Sequence, residues 1–176
     1  MSLKFYQTIF KNMRDISLFL CYNENMVISF FGHADFCEQK DYHDSLYDLV
    51  LSLCKNQNSV ELFFGGYGNF DSFCYNVCAE IKKIKESVTL SYVTPYLGSY
   101  LEKRTYLQKR YDQIVYPEIE NAPKRLAIIK RNEWMINKSD LVICYVNRSF
   151  GSAFYSLRYA KRKKKKIFNL VDLKTF

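Results

Sequence analysis

The stretch MVISFFG, residues 26–32, decides how the rest of the chain is read. It is a short apolar run, broken only by Ser29 and ended by Gly32. It does not alternate polar with apolar residues, as a strand with one solvated face does. A strand covered on both faces looks like this instead. Working outward, the same kind of run recurs in SVELFFGG (59–66), SVTLSYVTPY (87–96, stopped by Pro95), DLVICYV (140–146) and KIFNLVD (166–172). Helical spacing fills the gaps. Residues 39–56 place Tyr42, Leu46, Leu49, Val50 and Leu53 on one face, and residues 70–86 do the same with Phe73, Val77, Ile81 and Ile84. Residues 123–139 read as a helix with Pro123 near its first turn and Trp134 and Met135 toward the core. Residues 150–165 read as another helix.

The order β-α-β-α-β-(loop)-α-β-α-β predicts an α/β fold. We expect a Rossmann-like, doubly wound, mainly parallel sheet of about five strands with helices on both faces. It forms a single domain over residues 25–176, with residues 1–24 as an added N-terminal helical segment. The apolar part of that segment, ISLFLCY (16–22), is too short to cross a bilayer, and no small-residue cleavage site follows it. The span from Tyr96 to Pro123 has no clear period. It reads as a lid or binding loop, or as a short helix around GSYLEKRTYLQKRYD (98–112).

The chain has 176 residues, 48% hydrophobic and 25% charged, which suits one packed domain and excludes global disorder. The net charge of +8 favours anionic partners, and KRKKKK (161–166) concentrates it. That run is either a solvated helix end or a contact for nucleic acid. The six cysteines are scattered, without a C-x-x-C pair, and there are only two histidines. No metal site and no cofactor are expected, and free thiols in a reducing cytoplasm are the default. Cys74 and Cys78, one helical turn apart, fit ordinary helix packing.

In open parallel sheets, ligands sit at the C-terminal strand ends near the point where strand order reverses. That rule nominates GHADF (32–36), GGYGNFD (65–71) and NRSFGSAF (147–154). The second holds Gly65, Gly66 and Gly68, half of the chain's six glycines, directly before a helix. Bare backbone there would approach a ligand, and the helix start would attract an anion. Asn69 or Asp71 would cap that helix, or Asp71 would accept from a ribose hydroxyl. The plain alternative is a tight turn; neither G-x-G-x-x-G nor a P-loop is present. In the third loop, Ser149, Gly151, Ser152 and Ala153 would bring donors to a phosphate, with Arg148 adding charge. The first supplies Gly32, His33 and Asp35. Arg131 and Asn132 lie on the helix before the fourth strand and either reach the cleft or stay solvated. Glu133 is the nearest carboxylate.

With these residues in hand, RNEWMINKSDLVICYVNRSFGSAFYSLRYA (131–160) resembles the SLOG superfamily. These Rossmann-like domains include the lysine-decarboxylase-like LOG proteins and the DNA-processing Smf/DprA proteins. FFGHADF (30–36) and FFGGYGNFD (63–71) resemble the first two strand ends of a small branch of it. The likeness covers roughly residues 26–171. It implies binding of a nucleotide or nucleotide-derived ligand at the three loops, as a sensor or sequestering module. Phosphate would lie against Gly65–Gly68 and Gly151–Ala153, with Tyr67, Phe70 or a Tyr of residues 96–116 stacking on the base. It also allows a homo-oligomer paired through helices.

LOG enzymes cleave the N-glycosidic bond of nucleoside monophosphates with an Arg, matched by Arg131, and a Glu after P-G-G-x-G-T. RSFGSAFYSL (148–157) keeps one glycine and has no Glu at Tyr155, Ser156 or Leu157. Asp35, Asp71 or Glu133 would have to substitute, so an N-glycosidase or deoxyribosyltransferase-like activity is the second reading. Binding of single-stranded nucleic acid is the third.

Overall fold

The structure, a computed structural model, describes residues 25–174 except 56 and 121. The expected N-terminal helical segment, residues 1–24, lies outside the described residues. The strands are β1 (Asn25–Gly32), β2 (Ser59–Phe64), β3 (Val88–Val93), β4 (Gln113–Val115), β5 (Leu141–Tyr145) and β6 (Lys166–Asn169). The helices are α1 (Lys40–Cys54), α2 (Asn69–Lys82), α3 (Leu97–Arg110), α4 (Ala127–Lys138) and α5 (Ser152–Arg162). The strands form one sheet in the order β4-β3-β2-β1-β5-β6, and every pairing is parallel.

Strand order reverses at β1, which pairs with β2 on one side (Ile28 opposite Leu62) and β5 on the other (Phe30 opposite Ile143). Successive side chains of β1 divide between two cores. Met26, Ile28 and Phe30 pack with Leu46 and Leu49 of α1, Phe73 and Val77 of α2, and Leu107 of α3. Phe31 packs on the opposite face with Met135 and Ile136 of α4 and Ala153 and Leu157 of α5. This two-sided burial is why the strand runs do not alternate. The stripe expected on α1 is buried throughout. Each such aliphatic side chain contributes about 1.5–3 kcal/mol on leaving water, enough to hold a helix of this length in place.

Two expectations are completed and one is corrected. The sheet has six strands, because β4 adds to β3 with Ser91 opposite Gln113. Of the two readings of the span from Tyr96, the helix around residues 98–112 is the one observed: α3 forms there and β4 follows, with Leu107 and Tyr111 seated in the core. Ile84 is 60% exposed, because α2 ends at Lys82 and the chain turns before Ile84 could reach the core face.

Candidate functional site

The turn after β2 is closed by its own side chain. The two carboxylate oxygens of Asp71 accept from the backbone N–H groups of Gly65 (2.8 Å) and Gly66 (2.9 Å). Those amides, expected to face a phosphate, are therefore already satisfied. Nor does Asp71 cap α2: the residue before the helix is Gly68, with no side-chain cap. Asn69 does not cap it either. Its side chain donates to the carbonyl of Phe36, and its amide donates to the carbonyl of Ala34. These bonds tie the loop after β2 to the loop after β1. Burial pushes the Asp71 carboxyl up to about 6, against the pull of the two amides and of Arg131.

Arg131, on α4, is 2% exposed. A guanidinium this deep needs acceptors, and Nη1 finds two: the carbonyls of Gly65 (2.8 Å) and Val93 (2.7 Å). Its Nε is buried without an acceptor. The ring of Tyr67 lies 5.6 Å from the guanidinium carbon. A Cβ at position 65 would stand 2.7 Å from Nη1, so any larger residue there would push the guanidinium aside.

The start of α5 faces the same place. Gly151 precedes the helix at φ 88°, with no side-chain cap. The first bond of the helix turn is Tyr155 N–H to the carbonyl of Gly151, which leaves the amides of Ser152, Ala153 and Phe154 without an acceptor among the described residues. A cavity of about 60 Å³ brings the pieces together: Gly32, Gly65, Tyr67, Asp71, Arg131, Asn132, Ser152 and Ala153 all line it. So the loop after β2 and the start of α5 line one cavity, and Arg131, bonded to the end of β2, lines it with them.

The loop after β1 is engaged otherwise. His33 is 5% exposed, and its Nε2 accepts from the N–H of Asn147 at 3.3 Å. Burial first, and then the charge of Arg148, lower its pKa, which favours the neutral acceptor form. His33 is thus a structural bridge between the loops after β1 and β5, not a free donor for phosphate. Arg148 is likewise committed, in a bidentate pair with Asp35 at 2.8 and 2.9 Å. That pairing holds the Asp35 carboxyl below its ordinary range.

Several other expected residues stand away from the cavity. Gly66, Gly68 and Asn69 shape the turn, and Ser149 is exposed. Phe70, 1% exposed, is core rather than a stacking surface. Glu133 pairs with Lys130 at 2.8 Å. Ser156 was missed by sequence reading, yet it lines the cavity, accepts from Asn132 Nδ2 (3.2 Å) and donates to the Ser152 carbonyl (3.1 Å). Its position four residues after Ser152, on the same helix face, was the available signal. Among the described residues, no group of three His, Cys, Asp or Glu side chains could hold a metal ion, and no helix is long and apolar enough to cross a membrane.

No protein-family model matches the sequence, and no curated protein matches it. Solved structures do share its fold. It is similar to DNA processing protein A from Helicobacter pylori, described for its single-stranded DNA binding mode. The TM-score is 0.57 at 17% identity, over 86% of this chain and 67% of that one. It is also similar to DNA processing protein A (DprA) from Streptococcus pneumoniae, with a TM-score of 0.57 at 11% identity, over 86% of this chain and 52% of that one. The chain thus spans about half to two thirds of these proteins' lengths. What it shares with them is the Rossmann-like fold of DNA processing protein A.

Proposed function

We propose that this chain is a SLOG-type domain that binds a nucleotide or nucleotide-derived ligand at the C-terminal edge of its sheet. The phosphate lies between Arg131 and the first turn of α5. One observation carries this reading: a buried guanidinium whose Nε has no partner among the described residues lines the same cavity as a helix start whose first amides have none among them either. Helix N-termini attract anions through oriented N–H groups and the helix dipole. The fold likeness to DNA processing protein A supports the SLOG assignment.

An N-glycosidase finds less support. Both Asp71 oxygens hold glycine amides, and Glu133 holds Lys130, so neither carboxylate stands free to stabilise an oxocarbenium-like state. Single-stranded nucleic acid is favoured by one specific feature. The exposed side of α5 interleaves cations with rings, Arg158 near Phe154 and Arg162 over Tyr159.

Calorimetry with mononucleotides, dinucleotides, cyclic dinucleotides and ADP-ribose derivatives tests the proposal. Binding lost in Ser152→Glu is the expected result. A carboxylate in the first helical turn favours the helix dipole, so the variant stays folded while repelling a phosphate. Uniform absence of binding at about millimolar ligand, far above typical site affinities, overturns it.

A further inference from the structure

The cavity at Arg131, about 60 Å³, has room for a phosphate-sized group but not for the sugar and base attached to it. Those parts must lie elsewhere. Three residues of the cavity wall, Asn132, Ser152 and Ser156, also line a second hollow of about 560 Å³ between α4 and α5. The two spaces are therefore neighbours through shared side chains. Ile129 and Ile136 of α4 and Tyr155 and Tyr159 of α5 line the larger one. Tyr155 is 64% exposed and Ile129 39%, so the groove presents apolar surface to solvent. Tyrosine and isoleucine walls suit the flat, apolar faces of a nucleobase.

The far end of this groove is cationic. Arg158 and Arg162 line it, and neither makes an ion pair among the described residues. The groove's carboxylate, Glu133, is held by Lys130. Along α5, at about 1.5 Å per residue, Arg158 stands roughly 9 Å and Arg162 roughly 15 Å beyond Ser152. A mononucleotide with its phosphate at Ser152 offers no second anion to these arginines. A dinucleotide does, because its internal phosphodiester follows the first sugar. A second copy of this chain seated in the groove through a two-fold contact would bring like-charged arginines toward each other, which opposes that occupant.

Resting on the reading of the preceding subsection, we infer that the site takes a 5′-phosphorylated dinucleotide unit. The terminal phosphate sits at Arg131 and the start of α5, the first base lies between α4 and α5, and the internal phosphate meets Arg158 and Arg162.

The test titrates the whole chain with thymidine 5′-monophosphate and with 5′-phosphorylated dithymidylate. The double variant Arg158→Ala, Arg162→Ala is titrated beside it; both side chains are exposed, so the fold is retained. The dinucleotide should bind about tenfold or more tightly than the mononucleotide, as expected for added charge-assisted contacts. The double variant should lose that gain and keep its affinity for the mononucleotide. A 5′-phosphorylated oligothymidylate distinguishes the source. Tighter binding than the dinucleotide assigns the unit to a strand end, and weaker binding assigns it to a free dinucleotide. Equal affinities in the unaltered protein, or a gain that survives the double substitution, overturn the inference while leaving phosphate binding intact. So does a homodimer, seen by sedimentation, that the double substitution dissociates. If neither nucleotide binds, the phosphate site itself falls and this inference with it.

Discussion

Arg131 holds the carbonyl of Gly65 at 2.8 Å across sixty-six positions of sequence, and the same nitrogen holds Val93 at 2.7 Å. One side chain of α4 thus fixes the ends of β2 and β3 relative to each other. Arg131→Met removes the donor, leaves two buried carbonyls unpaired and takes the cation away from Asp71. We expect a loss of about 2–4 kcal/mol in denaturant unfolding. Arg131→Lys keeps the charge but cannot reproduce the fork, and should fall between the variant and the parent. Both should weaken phosphate binding.

Gly65 and Gly151 are glycines for different reasons, and alanine separates them. At Gly65 the added Cβ would stand 2.7 Å from Arg131 Nη1 and 3.0 Å from its guanidinium carbon. Gly65→Ala should cost about 1–3 kcal/mol by displacing a buried side chain, and binding should fall with it. At Gly151 a Cβ meets nothing within 4 Å, but φ is +88°. Gly151→Ala should cost a similar amount, about 1–3 kcal/mol, through backbone strain alone. Arg131 would keep its place, so a ligand that still binds should show a smaller loss. Chemical denaturation and calorimetry on the two variants read the contrast.

Five of the six strands and four of the five helices were legible because burial on two faces writes continuous apolar runs and 3.6-residue stripes into the chain. The stretch from Tyr96 was legible only as a choice between a lid and the short helix that α3 turns out to be. β4 has three residues, too few to show a pattern, and the sequence of α3, LGSYLEKRTYLQKR, carries no clear apolar stripe. Ile84 misled because its spacing continues a stripe that the helix itself does not continue. In the site, the sequence showed which loops converge, since that follows from strand order. It did not show Asp71 turning back on Gly65 and Gly66, nor Arg131 buried against two strand ends. The Asp71 bonds depend on how the turn bends within six residues, and the Arg131 bonds on where carbonyls 66 and 38 positions away arrive in space. Hydrophobic spacing records neither.

The end of α2 gives a direct check of that distinction. Ile81 is fully buried, whereas Ile84 is largely exposed. Ile81→Ala should cost about 2–5 kcal/mol, the range for deleting a buried branched side chain. Ile84→Lys should stay within about 0.5 kcal/mol of the parent. Thermal unfolding of the two variants would invert this order if Ile84 were part of the core.

Asp71 gives the site a pH dependence of definite sign. Its ordinary value is 3.8, and burial raises it to about 6 in the fold. Between those values the folded chain binds more protons at this position than the unfolded chain. Stability from this group is therefore greatest below 3.8 and is lost as pH rises through about 6. The full swing is on the order of 3 kcal/mol. Asp71→Asn removes the titrating group. Its amide nitrogen cannot accept from the second glycine N–H, which adds a penalty that does not vary with pH. Other groups, His33 included, titrate alike in both proteins and cancel in the difference. The unfolding free energy of Asp71→Asn minus that of the parent should therefore rise by roughly 2–2.5 kcal/mol from about pH 4 to about pH 7. A difference that stays level across this range would mean that the carboxylate is ionised throughout, with Arg131 fully offsetting its burial.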